Sequence, residues 1–388
     1  MRAFSWVECG TVAERFIGLM SGTSLDGVDG VLVEFADAED RLSINVLGHV
    51  HRAFSPAFAR ELLLLNTPGA NELHRAALAG NALATLCGDV VNALLESARI
   101  APSAVTAIGA HGQTVRHCPG EFDGIGYTLQ LNNPALLAER TGIDVVADFR
   151  SRDVAAGGQG APLVPAFHRA AFGRPDETVA VLNIGGMSNL SVLATDGRTT
   201  GFDCGPGNAL MDHWCAVHRG EPYDPGGVWA SSGSVDPNLL RSLQSEPYFA
   251  LPPPKSTGRD LFNPVWLERH LDEVARSSAL SSQDVQASLA ELTAWCCEQS
   301  TLRHAPQATR LLVCGGGACN THLMRRLAVR LPWLAVETTA QHGLPVEQVE
   351  AVAFAWLARA WTQRRSGNLP AATGASGERV LGALYPAG

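Results

Sequence analysis

Two separated stretches of the chain share one alternation of apolar and small polar positions. Phe16-Ile17-Gly18-Leu19-Met20-Ser21-Gly22-Thr23-Ser24-Leu25-Asp26-Gly27-Val28-Asp29-Gly30-Val31-Leu32-Val33 and Val179-Ala180-Val181-Leu182-Asn183-Ile184-Gly185-Gly186-Met187-Ser188-Asn189-Leu190-Ser191-Val192-Leu193 each read as apolar strand, turn, apolar strand. Glycine in such a turn admits backbone conformations closed to larger residues and lets backbone N–H groups approach a phosphate. Two such turns facing each other would clamp one nucleotide.

The order of elements after each hairpin repeats as well. Apolar positions at helical spacing predict a helix over Leu73–Ile100, then a strand over Val105–Ala110 that leads into His111-Gly112-Gln113-Thr114. In the second half the helix is expected over Val285–Leu302, and the strand Arg310–Cys314 opens into Gly315-Gly316-Gly317. The order points to a duplication and to an α/β fold of two lobes. Thr141 to Arg150 reads as a buried strand with polar groups at its end, and the glycine- and charge-rich stretch Ser151 to Gly160 marks the hinge. The first lobe is therefore expected at 1–150 and the second at 151–365. The helix predicted over Val349–Arg364 and the tail from about 366 to 388, with Leu381-Gly382-Ala383-Leu384-Tyr385, are candidates for packing back on the first lobe.

Composition is consistent with two cores: 388 residues, 46% hydrophobic and 17% charged, against about 100–200 residues per domain. The net charge of −9, with no basic run, argues against a nucleic-acid or membrane-surface binder. The first residues lack a long apolar run and no uncharged apolar stretch is long enough to cross a bilayer, so a cytoplasmic location is expected. Nine scattered cysteines without a Cys-x-x-Cys pair indicate neither a disulfide framework nor a zinc site.

In Thr200-Gly201-Phe202-Asp203-Cys204-Gly205-Pro206-Gly207-Asn208, Asp203 stands at a strand end, beside a glycine-rich turn and ahead of a helix over Ala209–His218. A carboxylate there suits a general base in phosphoryl transfer; the competing reading is a turn or capping aspartate. Asp26 and Asp29 could orient the hydrated Mg²⁺ that accompanies ATP, with no permanent metal site implied, or could simply be turn residues. The Gly315–Gly317 turn, with Asn320 after it, offers a phosphate or ribose seat at a helix N-terminus, or is only a tight turn. Pro254-Lys255-Ser256-Thr257 lacks the upstream glycines of a P-loop, and no Gly-x-Ser-x-Gly, His-Glu-x-x-His or strand-borne Gly-x-Gly-x-x-Gly occurs.

Long ordered motifs carry a resemblance. Gly18 to Gly27, Ala110-His111-Gly112-Gln113-Thr114, Asp148-Phe149-Arg150, Gly157-Gly158-Gln159-Gly160-Ala161-Pro162, Asn183-Ile184-Gly185-Gly186, Gly201 to Asn208, Lys255-Ser256-Thr257-Gly258-Arg259 and Cys314-Gly315-Gly316-Gly317 are similar to the anhydro-N-acetylmuramic acid kinases. The likeness runs from about residue 16 to the C-terminal Leu381–Pro386. It implies the actin, sugar-kinase and Hsp70-type fold of two RNase H-like lobes around a nucleotide cleft. It further implies conversion of 1,6-anhydro-N-acetylmuramic acid, ATP and water to N-acetylmuramic acid 6-phosphate, in cytoplasmic recycling of cell-wall sugar, by a homodimer.

The resemblance implies that Asp203 deprotonates the attacking water and that Glu350 helps hold it. Expected nucleotide contacts are Gly22, Thr23, Ser24, Leu25, Asp26, Gly27, Val28, Asp29, Gly185, Gly186, Gly205, Gly315, Gly316, Gly317 and Asn320; expected sugar contacts are His111, Arg150 and Gln159. One departure is Arg150-Ser151-Arg152, where the family often carries three arginines; Ser151 brings no charge to that position. The leading segment Met1 to Arg15 lies outside the likeness and reads as an extension. Two other classes remain open: another amino-sugar kinase of the same fold, or a nucleotide-binding regulator or ATPase of the Hsp70 type. A glycosidase using Asp203 and Glu350 as a carboxylate pair would work without ATP.

Overall fold

In the computed structural model, residues 13–22, 24–38, 41–259, 261–275 and 280–388 are described. The first half forms β1 (Glu14–Met20), β2 (Gly27–Ala38), β3 (Arg41–Ala53) and β4 (Ala107–Ala110), a separate hairpin of β5 (Gln113–Pro119) and β6 (Gly126–Leu131), then β7 (Val145–Ala147). The second half forms β8 (Thr178–Ile184), β9 (Met187–Leu193), β10 (Thr199–Pro206), β11 (Ala308–Cys314) and β12 (Ala335–Thr338), and the chain closes with β13 (Ala383–Tyr385).

The expected duplication is visible in the sheets. One runs β13-β7-β4-β1-β2-β3 and the other β10-β9-β8-β11-β12. Leaving β13 aside, each has its lobe's first strand in the middle, the second and third on one side and the fourth and fifth on the other. In both, the second strand is antiparallel to its neighbours and the fourth and fifth run parallel to the first. This is the RNase H-like order, used twice.

The helices predicted from apolar spacing are present as Glu72–Ala98 and Ser282–His304. Glu72–Ala98 is long and apolar enough to cross a membrane by length and composition. Its inner face, with Leu83, Val90 and Leu94 fully buried, lies instead on β2 and β3. Among the described residues every cysteine is a free thiol.

The first lobe's sheet is completed from the far end of the chain. β13 pairs with β7, and the helix Val349–Thr362, which falls inside the expected second-lobe range, lies on β1, β2 and β4. Paired glycines make that contact possible. Gly18 of β1 stands opposite Gly109 of β4; a methyl group on Gly18 would fall 1.8 Å from the Ala351 carbonyl oxygen and one on Gly109 2.0 Å from that of Phe354. The helix meets this smooth patch with a run of alanines. Its other end is fixed by Arg359, buried and ion-paired to Glu14 at 3.0 Å and Asp37 at 2.8 Å. Between the sheets one apolar cluster joins Phe16, Val33 and Phe149 with Val181, Leu312 and Phe354.

The segment expected as the hinge is tied down. Asp153, fully buried, accepts hydrogen bonds from the Asn368 amide at 2.6 Å, the Thr373 hydroxyl at 2.8 Å and the Gly160 N–H at 2.8 Å. Of the leading segment, Glu14 and Arg15 already belong to β1, and residues 1–12 lie outside the described residues.

Candidate active site

Both sheets deliver their turns to one cleft. On the first-lobe side the β1–β2 turn is braced by Gln113, which accepts from the Ser21 hydroxyl and donates to the Gly22 carbonyl at 3.2 Å. The Leu25 N–H closes the turn on the Gly22 carbonyl at 3.3 Å, and Leu25 itself sits at φ 58°. Ser24 and Asp26 are exposed at the tip. Thr23 lies outside the described residues. Gly27 and Val28 depart from the expected contacts: both are buried in β2, where a Gly27 side chain would strike the Arg52 carbonyl at 2.3 Å. Asp29 is also already engaged, its Oδ1 hydrogen-bonded to His49 at 3.0 Å and His51 at 3.1 Å.

On the second-lobe side three glycine turns interlock. The Gly207 and Ala209 N–H groups donate to the Gly186 carbonyl at 2.9 and 3.1 Å, and the Asn208 N–H to that of Gly185 at 2.8 Å. A Cβ on Gly316 would lie 3.7 Å from the Asn208 amide nitrogen, so the third turn joins the first two. Gly315, at φ 78°, needs a left-handed backbone. Three expected contacts are placed otherwise. Gly205 is buried in the β10 bulge, with Phe249 and Cys296 where a side chain would be; Gly317 packs on Ile184; and the Asn320 side-chain oxygen caps the following helix by accepting from the Leu323 N–H at 3.0 Å.

Between these turns stand the ionisable groups. Asp203 is half-buried on β10; its Oδ2 accepts from the Thr257 N–H at 3.0 Å, its own N–H donates to the Lys255 carbonyl at 3.1 Å, and its carbonyl accepts from the Tyr248 hydroxyl at 2.8 Å. Burial pushes its carboxyl up to about 6, against the opposing pull of the Thr257 N–H, Arg150 and Lys255. Glu350 opens the Val349–Thr362 helix and faces the same space. Burial raises it too, with Arg150 pulling it down, Asp29 and Asp26 pushing it up and a hydrogen bond to Asn183 lowering it.

Arg150 is the cation between the two carboxylates. Burial brings it down to about 10, while Glu350, Asp203 and Asp153 favour its charge, so it stays cationic at neutral pH. It donates to the Gly160 carbonyl at 2.7 Å and to His111 Nε2 at 3.2 and 2.9 Å. A guanidinium can only donate, so His111 Nε2 accepts, and Nδ1 carries the proton toward the Ser21 carbonyl at 3.2 Å. The ring is neutral, held down to about 3 by burial and Arg150. Gln159 is half-buried, its N–H held by the Thr373 carbonyl at 2.7 Å.

Sequence reasoning missed a second charged group. Asp212, on the first turn of the helix Ala209–Arg219, is pushed up to about 7 by burial, with Arg259 opposing the shift and Asp26 and Asp224 adding to it. Arg259 in turn feels both Asp212 and Asp26, so charges from the two lobes meet here. The available signal was position, one helical turn beyond the Gly205–Asn208 turn. Ser151 is half-buried and Arg152 exposed.

Residues 14–387 match the family model for anhydro-N-acetylmuramic acid kinase. Proteins of that name resemble the chain closely: one from Variovorax paradoxus is 61% identical, with 96% of this chain and 99% of the relative covered. Another, from Albidiferax ferrireducens, is 58% identical, with 97% and 100% covered. Among solved structures, the activator of the 2-hydroxyisocaproyl-CoA dehydratase from Clostridium difficile, with bound ADPNP, aligns over 90% of this chain and 96% of its own at TM-score 0.44 and 13% identity.

Proposed function

The chain belongs to the anhydro-N-acetylmuramic acid kinase family, and from that premise we propose how its residues divide the work. As an ATP-dependent kinase it converts 1,6-anhydro-N-acetylmuramic acid and water to N-acetylmuramic acid 6-phosphate, opening the anhydro ring in the same reaction. Asp203 takes a proton from a water that Glu350 helps to hold. The water oxygen bonds to the anomeric carbon, the bond from that carbon to the C6 oxygen breaks, and the C6 oxygen receives the γ-phosphoryl group as ADP leaves. The observation that carries this reading is the carboxylate pair itself. A base near pH 6 is matched to neutral operation, and the Arg150 guanidinium favours the ionised form of both carboxyls.

The braced β1–β2 turn and the turns at Gly185–Gly186 and Gly315–Gly316 are the phosphate clamp; the Gly185 and Gly315 N–H groups already donate to the Met187 and Val346 carbonyls at 3.1 and 2.9 Å, so Gly186 and Gly316 are the donors there. Arg150, with His111 behind it and Gln159 beside it, faces the sugar, whose lactyl carboxylate suits a guanidinium. Mg²⁺ bound with ATP would neutralise phosphate charge. Asp26, exposed at the turn, fits it through water; Asp29, held by two histidines, does not. The enzyme works in the cytoplasm, where ATP is supplied, and as the homodimer its family resemblance suggests.

Reaction in ¹⁸O-labelled water tests the mechanism. Label should appear at C1 of the sugar phosphate at early times, before ring opening exchanges it, and only when ATP is present. Label in the phosphoryl group would show that water attacks phosphorus. Ring opening without ATP would indicate a glycosidase.

A further inference from the structure

The Asp153 carboxylate takes part in none of the steps above, yet it is fully buried in the short helix Ser151–Ala155. Its hydrogen-bond donors, the Asn368 amide, the Thr373 hydroxyl and the Gly160 N–H, are all neutral. Burying a carboxylate on neutral donors is costly, so its place calls for a reason.

What it holds is the turn on the sugar side. That turn wraps around it: the Gly158 N–H donates to the Asp153 carbonyl at 2.9 Å, and a Cβ on Gly158 would fall 2.2 Å from Asp153 Oδ2. Gly160, at φ 66°, then faces both ways. Its N–H donates to Asp153 Oδ2 at 2.8 Å and its carbonyl accepts from Arg150 Nη1 at 2.7 Å. Gln159, just before it, donates its N–H to the Thr373 carbonyl. Arg150 and Gln159 are thus both seated on a C-terminal segment whose Asn368 and Thr373 lie 215 and 220 residues beyond Asp153.

Arg150 has five N–H groups. One on Nη1 goes to Gly160, and one each on Nε and Nη2 go to His111. One further N–H on each terminal nitrogen remains, a pair suited to a carboxylate. Two braces set the plane of that pair: His111, held on the Ser21 carbonyl at 3.2 Å, and Gly160, held by Asp153.

We propose that Asp153 is a positioning residue for the sugar, fixing Gly160 so that the two remaining N–H groups of Arg150 meet the lactyl carboxylate. The inference rests on the reading that Arg150 faces the sugar. Asp153 makes no contact with substrate; the C-terminal segment acts on the sugar side through it.

Asp153→Asn supplies one oxygen for three donors, so at least one donor is left facing an amide N–H and one end of the brace lets go. KM for the anhydro sugar should rise roughly 10- to 100-fold, the range of one hydrogen bond to a charged group, while KM for ATP stays within about twofold. Thr373→Val keeps the buried volume, removes one donor to Asp153 and should raise sugar KM about 3- to 10-fold; it carries the test if Asp153→Asn folds poorly. Thr373→Ser keeps the hydroxyl and should restore sugar KM, which a packing role for Thr373 would not predict. In an Arg150→Lys background Asp153→Asn should add little, because coupled residues are not additive. Wild-type sugar KM in both Asp153→Asn and Thr373→Val, equal rises in sugar and ATP KM, or the same loss with and without Arg150→Lys would overturn the proposal. Unchanged sugar KM in Arg150→Lys alone would instead overturn the assignment of Arg150 to the sugar.

Discussion

Gly18→Ala tests whether the glycine patch under the Val349–Thr362 helix sets the active site. The added methyl carbon would be 1.8 Å from the Ala351 carbonyl oxygen and 2.8 Å from the Ala355 nitrogen, where ordinary contact begins at 3.4 Å. No side chain can swing away, since both clashing groups are backbone. The helix must retreat by about 1.5 Å to restore van der Waals distance. Arg359 ties its far end to Glu14 and Asp37, so the retreat is concentrated at the end that carries Glu350. Overpacking of this kind costs about 1–3 kcal/mol, and a 1 Å misplacement near reacting groups costs about 10²-fold in rate. Steady-state kinetics and a thermal melt should therefore show a lower Tm and a kcat reduced about 10²-fold, with ATP affinity little changed. Gly48→Ala is the control: its methyl would meet Leu94 at 3.4 Å and should be tolerated. Wild-type kcat and Tm in Gly18→Ala would refute the view that this contact positions Glu350.

Asp203→Asn keeps the side-chain shape but cannot take a proton, so turnover should fall about 10²–10⁴-fold while ATP still binds by calorimetry; near-normal turnover would remove Asp203 as the base. Because burial raises Asp203 to about 6 and the base must be ionised, kcat/KM in the wild type should fall as pH drops through about 6. An acid limb at the ordinary carboxylate range, near pH 4, would show that the group governing the limb is not the raised carboxyl.

Periodicity carried the architecture. The hairpins around residues 21–26 and 185–186, and the helices Glu72–Ala98 and Ser282–His304, are local patterns, and local patterns are what a sequence displays. Asp203 was singled out by its setting among phosphate-type turns, since an aspartate beside glycine, taken alone, reads as a turn residue. Glu350 was not, since at the first turn of an alanine-rich helix it reads as a surface residue until the helix is seen lying across β1 and β4. Asp212 was hidden for a related reason: the charge it meets, Arg259, is distant in the chain. Some glycines misled in the other direction. Gly27, Gly205 and Gly317 sit in glycine-rich motifs yet face packed atoms, because a glycine that admits a neighbouring backbone or ring looks in sequence like one that admits a phosphate.

The late return of the chain to its first sheet governs the order of assembly during synthesis. β7 ends at Ala147, while its outer neighbour β13 begins at Ala383 and the helix that covers Gly18 and Gly109 begins at Val349. At ~5–20 residues per second on the ribosome, that face waits on the order of 10–40 s for its cover. Until then Phe16, Val31 and Val146 have no partner from the chain's end, and an emerging first half presents an open apolar surface and an unpaired strand edge. The two lobes are symmetric in topology but not in timing: all five strands of the second sheet are made by Thr338, while the first sheet is finished only once β13 has been made.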